Sequence, residues 1–430
     1  MWIIAREQSR PAALVSLPRR CEPVTLPLLG QLIVDLADEP LVMASTLLAD
    51  LGATVVRVEH PGGDAVRRRG PFVADIPGNE RGLAHLRYNA GKKSLALALD
   101  RPEAWAIVGS LATRADVLIA PMEKSPLAAE FFAEERMAAV APAAGVVDAV
   151  FRRDSDERAV TDLVGTAAGG LLYLNGFEED APNYPAGKLA YKQASLAAAL
   201  AAVSLCMERA LAGTGGRVTV SMQEAVMWTT IQTANENYWY WNKVRPGRHG
   251  LGSVGGQTIF ESGDGAWVSF YQHPPSWPNF VKWVSEALGE ARFADAAWED
   301  QLYRLHHMAE VTAATRALCL TLPRDELVRE GQRRSILVVP VQGVADIASD
   351  PHLRERGFFQ NVWHDQIGAS IETMRAPFIS TAYEMKPVRA PALGEHSREV
   401  LSSVCGLDER AIDALVESGL VGVAAPVEQS

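Results

Sequence analysis

Between residues 31 and 58 the chain reads strand, helix, strand, and that order constrains its fold more than any other feature. Gln31-Leu32-Ile33-Val34-Asp35-Leu36 is a short apolar run suited to a buried strand. A helix is expected from about Val42 to Leu51, stopped by Gly52, because glycine takes the left-handed conformation that closes a helix. Thr54 to Val58 is rich in β-branched residues and reads as the next strand. Strands joined through a helix lie parallel with a right-handed crossover, so the expected architecture is an open α/β sheet.

The alternation continues. Ser94 to Leu99 and Val117 to Ile119 are further strands, with a helix from Pro102 to Thr113 between them, its proline preset for a first turn. Ala194 to Ala212 is a long Ala/Leu-rich helix stopped by Gly213-Thr214-Gly215-Gly216, and Arg217 to Ser221 is a strand leading into another helix. From about Thr230 the composition changes: Tyr238, Trp239, Tyr240 and Trp241 cluster, glycine-rich sequence runs to Gly256, and a β-like stretch follows from Trp267 to Tyr271. These shifts divide the chain into an N-terminal extension (1–29), a large domain (30–228), a small domain (229–330) and a return to the large domain (331–430), where Ile336 to Val344 has strand character and the C-terminal part is expected to rejoin the first sheet.

A formal net charge of -11 argues against broad nucleic-acid binding, which needs a positive field. Cys21, Cys206, Cys319 and Cys405 are scattered without metal-type spacing, so reduced, structural thiols are expected. His306-His307 are adjacent on a helix, point apart and lack a third ligand, so no metal is expected. No apolar run reads as membrane-spanning, and residues 1–27 lack a signal-peptide pattern; a cytoplasmic protein without a membrane partner is expected. Dinucleotide binding fails on chemistry. The first strand–helix turn, Asp35-Leu36-Ala37-Asp38-Glu39-Pro40, has no glycine to admit a pyrophosphate and carries carboxylates that would repel one.

Three segments carry a resemblance. They are Leu47-Leu48-Ala49-Asp50-Leu51-Gly52-Ala53-Thr54-Val55-Val56-Arg57-Val58-Glu59-His60-Pro61, Asp350-Pro351-His352-Leu353-Arg354-Glu355-Arg356-Gly357-Phe358-Phe359, and Gly394-Glu395-His396-Ser397-Arg398-Glu399-Val400-Leu401. With them the chain resembles the family III CoA-transferases from about residue 30 to 425. This group includes formyl-CoA transferase, the carnitine and bile-acid CoA-transferases and α-methylacyl-CoA racemase. The resemblance implies a Rossmann-like large domain with a smaller second domain, and two chains threaded as interlocked rings. It also implies coenzyme A and acyl-CoA as substrates, with a carboxylic acid as acceptor.

Chemistry of that kind needs a carboxylate nucleophile to attack the thioester carbonyl. In the family that residue lies upstream of the long helix at a fixed distance from the following strand, and counting back without gaps from Arg217-Val218-Thr219-Val220-Ser221 through Glu208-Arg209, the resemblance puts its place on Tyr191. A phenol of pKa about 10 is protonated at neutral pH and is no simple substitute. Asp162, in Thr161-Asp162-Leu163-Val164 before Gly169-Gly170-Leu171, resembles the family's acidic position upstream of the nucleophile. It is either a relocated nucleophile or a retained structural carboxylate. Thr161 stands where the racemases carry a catalytic histidine, so racemisation, which needs an acid–base pair, is not expected.

The family's Glu-Asn-Phe-Arg-Pro-Gly loop beside the cofactor is replaced by Ala120-Pro121-Met122-Glu123-Lys124-Ser125, and its first-turn Gly-Pro is lost around Asp38-Glu39-Pro40-Leu41. Asn89-Ala90-Gly91-Lys92-Lys93-Ser94-Leu95 does resemble the family's Asn-x-x-Lys-Arg-Ser-Leu, which makes Asn89, Lys92 and Lys93 candidate CoA-phosphate contacts or a solvated basic turn. His60 stands where members place Arg or His near the adenosine end, as a ligand contact or a surface residue. Gly252, Gly255, Gly256 and Gln257 lie where the transferases carry a glycine-rich flap, and a plain turn would look similar.

Two readings follow. One is a self-sufficient homodimeric CoA-transferase using Asp162 or an unusual mechanism. The other, which the joint loss of nucleophile, first-turn Gly-Pro and CoA-side loop favours, is a nucleophile-lacking subunit paired with a homologous CoA-transferase chain.

Overall fold

The computed structural model describes residues 25–152, 161–230, 243, 247–248, 252–253, 256–271 and 274–424. Its main sheet has seven strands: β1 (Leu32–Asp35), β2 (Thr54–Glu59), β3 (Lys93–Leu97), β4 (Val117–Ile119), β5 (Gly145–Val150), β6 (Arg217–Ser221) and β14 (Val421–Gly422). They are ordered β14-β3-β2-β1-β4-β5-β6, all parallel except β14, which runs antiparallel to β3. The interleaved helices include α1 (Val42–Asp50), α2 (Pro102–Ala112), α3 (Asp162–Ala168), α4 (Leu189–Ala212) and α5 (Met222–Thr230).

Both faces of a parallel sheet are covered, so its strands are apolar on both sides. Val34, Val56 and Leu118 pack with α2 and with Val400, Leu401 and Ile412 of the C-terminal helices on one face. Ile33, Val55, Val117 and Ile119 pack with α1 and α4 on the other. Alternate residues of one strand thus serve different cores, as the period-2 geometry of a strand demands.

A second, antiparallel sheet is ordered β11-β10-β9, from β9 (Ile259–Glu261), β10 (Trp267–Tyr271) and β11 (Leu337–Pro340). Its core is aromatic: Phe270 lies 6.1 Å from Phe280 edge-on, and Trp277 stacks 6.2 Å from Trp298. The strand expected within Ile336 to Val344 is β11, and it joins this smaller sheet. Leu337 pairs with Tyr271 and Pro340 with Val268, while Ile336 and Val338 join the aromatic core. It is β14 that brings the C-terminal segment back to the main sheet.

Two sequence-distant motifs meet at that junction. The Gly394 N–H donates to Ser94 Oγ at 2.8 Å, and Ser94 Oγ donates to Glu59 Oε1 at 2.7 Å. Arg67 closes the set, with Nε 2.6 Å and Nη2 2.8 Å from the two oxygens of Glu59, and Nη2 also reaching the Pro391 carbonyl at 3.2 Å. Gly394 has φ +70°, and a Cβ there would lie 2.7 Å from the Gly422 carbonyl oxygen, so only glycine lets β14 approach. The Leu-Gly-Glu-His segment is therefore a clasp across the sheet edge.

By length and composition α4 would also pass as a membrane span, which corrects the reading that no apolar run reaches that length. Its packing accounts for the composition: Ala190, Ala194, Ala198, Ala201 and Ala202 form a small-residue face buried against the sheet.

Candidate functional site

Tyr191 and Asp162, far apart in sequence, meet where α3 and α4 begin. Thr161 caps α3 by accepting the Val164 N–H at 3.3 Å, which sets Asp162 in the first turn. Gly165 brings α3 close to its neighbours, since a Cβ there would stand 2.5 Å from Met222 Sδ and 2.9 Å from Ala190 Cβ. The buried Asp162 carboxylate then accepts the Tyr191 backbone N–H at 2.8 Å on Oδ1 and the Tyr184 hydroxyl at 2.6 Å on Oδ2, with Thr166 Oγ1 at 3.3 Å. Its role in this geometry is to satisfy a donor at the start of α4, one of the orphan N–H groups of a helix N-terminus.

The Tyr191 ring packs half-buried at the edge of the α1/α4 core. Burial, reinforced by the nearby Glu39 and Asp162 carboxylates, pushes its phenol up to about 12. Tyr184 is likewise pushed up to about 12 by desolvation and its bond to Asp162. Both phenols therefore hold their protons at neutral pH.

A third carboxylate belongs to this neighbourhood. Glu39 receives both Arg69 Nη1 and Lys188 Nζ, and the Lys188 ammonium lies 5.5 Å from the centroid of the Tyr191 ring. Lys188 sits in the left-handed region (φ 54°) just ahead of α4, a conformation that costs a non-glycine residue energy and clusters at functional sites. Asp38, next in the same turn, accepts the N–H groups of Met122 at 3.0 Å and Glu123 at 2.8 Å. The two segments that depart from the family pattern, 38–41 and 120–125, are thus bonded to each other. Sequence reasoning saw both losses but missed their contact; the signal was the new acid, Asp38, facing a loop with free backbone donors.

The candidate basic cluster is divided. Lys92 is fully buried, its ammonium 3.1 Å from Asp35 Oδ2, 3.0 Å from the Val42 carbonyl and 3.1 Å from Asn89 Oδ1, which uses all three donors. Asn89 is buried with it. Lys93 faces outward and pairs with Glu399. Of the three candidate phosphate contacts, Asn89 and Lys92 thus use their polar groups inside the core just ahead of β3, while Lys93, the first residue of β3, is left at the surface. His60 is exposed, its Nδ1 accepting the Gly62 N–H at 3.1 Å.

Gly252 and Gln257 pair in a two-stranded hairpin, β7 (Gly252–Ser253) with β8 (Gly256–Gln257), and Gln257 Oε1 accepts from Arg316 at 2.8 Å. Gly255 and the aromatic group Tyr238 to Trp241 lie outside the described residues. Burial pushes the thiols of Cys206 and Cys405 up to about 11 and that of Cys319 to about 12, so these three are poor nucleophiles.

Burial holds Lys92 down at about 8 against the pull of Asp35. Below pH 8 it is charged in both folded and unfolded chains, and the cost of burying the charge is fully present. Between about pH 8 and 10.5 the folded form loses its proton first, so the unfolded state binds more protons and this group's contribution to stability rises with pH. Urea unfolding of wild type and Lys92→Met from pH 7.5 to 9.5 is expected to shift the difference in wild type's favour by about 1–2 kcal/mol; a flat difference contradicts it.

Sequence profiles and relatives agree with this architecture. The profile of CoA-transferase family III matches residues 34–397. The succinyl-CoA:(R)-benzylsuccinate CoA-transferase subunit BbsE of Thauera aromatica is 30% identical over 410 residues, covering 90% of this chain and 97% of its own. The beta subunit of succinyl-CoA–L-malate CoA-transferase from Chloroflexus aurantiacus is 26% identical over 406 residues, 91% of this chain and 97% of its own. The crystal structure of a CAIB/BAIF family protein from Brucella suis shares the fold, with a TM-score of 0.74 at 24% identity over 88% of this chain and 100% of that one. A match of this extent, on a parallel sheet whose clasp is built from the motifs first noticed, means that the chain belongs to CoA-transferase family III.

Proposed function

We propose that this chain is the nucleophile-lacking subunit of a heteromeric CoA-transferase that moves CoA between an acyl-CoA and a carboxylic acid. The pairing at the start of α4 supports the reading: Tyr191, which the resemblance puts at the nucleophile position, has its phenol pushed up to about 12, and Asp162 is engaged by a backbone N–H and a tyrosine hydroxyl. Nearby, Glu39 is held by two cations and Asp38 by two backbone N–H groups. The subunit names of the relatives from Thauera and Chloroflexus support the same reading.

In this scheme a homologous partner supplies the carboxylate. It attacks the thioester carbonyl, the C–S bond breaks, and CoA thiolate leaves a mixed anhydride. Thiolate then attacks the enzyme-side carbonyl, releasing the donor acid and leaving CoA on the partner's carboxyl group. The acceptor acid repeats the sequence in reverse. This chain contributes the scaffold around the shared site, with Tyr191 and the Glu39–Lys188 pair at the start of α4.

Co-expression with a neighbouring paralogue tests it. Tyr191→Phe is expected to leave acyl exchange within about twofold, because nothing in the scheme uses the hydroxyl. After incubation with acyl-CoA, mass spectrometry is expected to find a CoA adduct on the partner. An adduct on this chain, or turnover by this chain alone, overturns the proposal.

A further inference from the structure

Three segments distant in sequence bring their charges to one point. Glu39 lies in the turn after β1, Arg69 in the loop after β2, and Lys188 just ahead of α4. The turn after β1 also bonds the loop after β4, through Asp38 and the N–H groups of Met122 and Glu123. Strand order reverses here, since β2 lies on one side of β1 and β4 on the other. In an open parallel sheet, ligands bind in the crevice beyond the strand C-termini at such a reversal.

Arg69 and Lys188 both meet a single oxygen, Glu39 Oε1. Two cations on one carboxylate leave this triad with a net positive charge. Two further carboxylates act on Glu39, and both are engaged elsewhere: Asp162 accepts the Tyr191 N–H and the Tyr184 hydroxyl, and Asp64 pairs with Arg57 at 2.5 Å. The cations are open to a ligand, with side chains 47% exposed at Arg69 and 39% at Lys188 against 19% at Glu39. Burial raises the Glu39 carboxyl above its usual range despite Arg69, so it is a weak occupant of the position between them.

We propose that Arg69 and Lys188 are a receptor for the second carboxylate of a dicarboxylic acid substrate, and that Glu39 fills this receptor until the acid displaces it. The Lys188 ammonium stands 5.5 Å from the centroid of the Tyr191 ring. With the reacting carboxyl group at Tyr191, a carboxylate between the two cations is the other end of a short diacid. A CoA phosphate does not fit the same place, because the pantetheine arm holds it far from the thioester. A monocarboxylic acid has no group to exchange for Glu39. The proposal rests on the function given above for where the reaction takes place, and not on which chain carries the nucleophile.

Butanedioate and butanoate differ in the second carboxylate, so the ratio of their kcat/KM values as acceptors reads the receptor. The full chain, purified with its co-expressed paralogue, is expected to favour butanedioate by about tenfold or more, as charge-assisted hydrogen bonds to one substrate only would give. Lys188→Met and Arg69→Gln are each expected to cut that ratio about tenfold, through KM more than kcat. Glu39→Gln removes the internal competitor and is expected to raise the ratio about threefold. An ion pair that only ties α4 to the turn after β1 would respond alike to loss of either partner. A wild-type ratio near one, a fall in the ratio for Glu39→Gln, or an unchanged ratio in both cation variants overturns the receptor. So does loss, in the cation variants, of a preference for acyl-CoA over its dephospho form, which would make the pair a phosphate contact. Should Lys188→Met fail to fold, Arg69→Gln, the more exposed of the two, decides. If the CoA adduct forms on this chain, the heteromeric reading falls and the acceptor ratio still judges the receptor. If nothing turns over, calorimetric dissociation constants of the two acids judge it by the same ratios.

Discussion

Arg67→Leu is expected to lower the unfolding free energy by about 3–5 kcal/mol, the usual cost of removing one partner from a buried ion pair. The Arg67 and Glu59 side chains are both fully buried, and the guanidinium meets the carboxylate with two bonds of 2.6 and 2.8 Å. It also reaches Glu80 at 2.9 Å. Leucine would leave Glu59 with the Ser94 hydroxyl and without its two-bonded cation. Ser94 in turn receives Gly394, so the loss spreads to the clasp that seats β14. Arg68→Leu, one residue on and exposed, is expected to change stability by less than about 0.5 kcal/mol. Urea unfolding followed by circular dichroism separates the two. A loss below about 1 kcal/mol for Arg67→Leu would mean that water reaches Glu59 and that the clasp is held by packing alone.

This network also shows what a sequence can and cannot disclose. Strand and helix positions follow from local periodicity: the expected helix from Pro102 to Thr113 is Pro102–Ala112, and the expected strands Val117 to Ile119 and Arg217 to Ser221 fall at those residues. Partners do not follow from periodicity. Ile336 to Val344 looks like any apolar strand, and only long-range packing with Phe260 and Phe270 assigns it to the smaller sheet. Asp38 and Glu39 read as repulsive when a pyrophosphate was the question, yet their roles are set by the backbone donors of 122 and 123 and by the cations at 69 and 188. Lys93 opens β3 and faces outward, while Lys92, just ahead of the strand, turns inward to Asp35.

Asp162→Ala is expected to cost about 3 kcal/mol, while Asp162→Asn costs about 1 kcal/mol or less, and the contrast separates a structural carboxylate from a reacting one. Alanine strands the Tyr191 N–H at the start of α4 and removes the acceptor of the exposed Tyr184 hydroxyl, two donors that meet Asp162 at 2.8 and 2.6 Å. Asparagine keeps an acceptor for the N–H through its carbonyl oxygen, and the Tyr184 hydroxyl can rotate to accept from the amide, since a phenol both donates and accepts. The side chain keeps its shape and loses its charge. A nucleophile cannot survive that exchange, because an amide does not displace CoA thiolate; loss of a covalent nucleophile typically costs several orders of magnitude in turnover. In the proposed heteromer, Asp162→Asn is therefore expected to retain acyl exchange within a few-fold, with a melting temperature near wild type. A drop of a thousandfold in a variant that folds and assembles normally would make Asp162 the reacting group and this chain a catalyst in its own right.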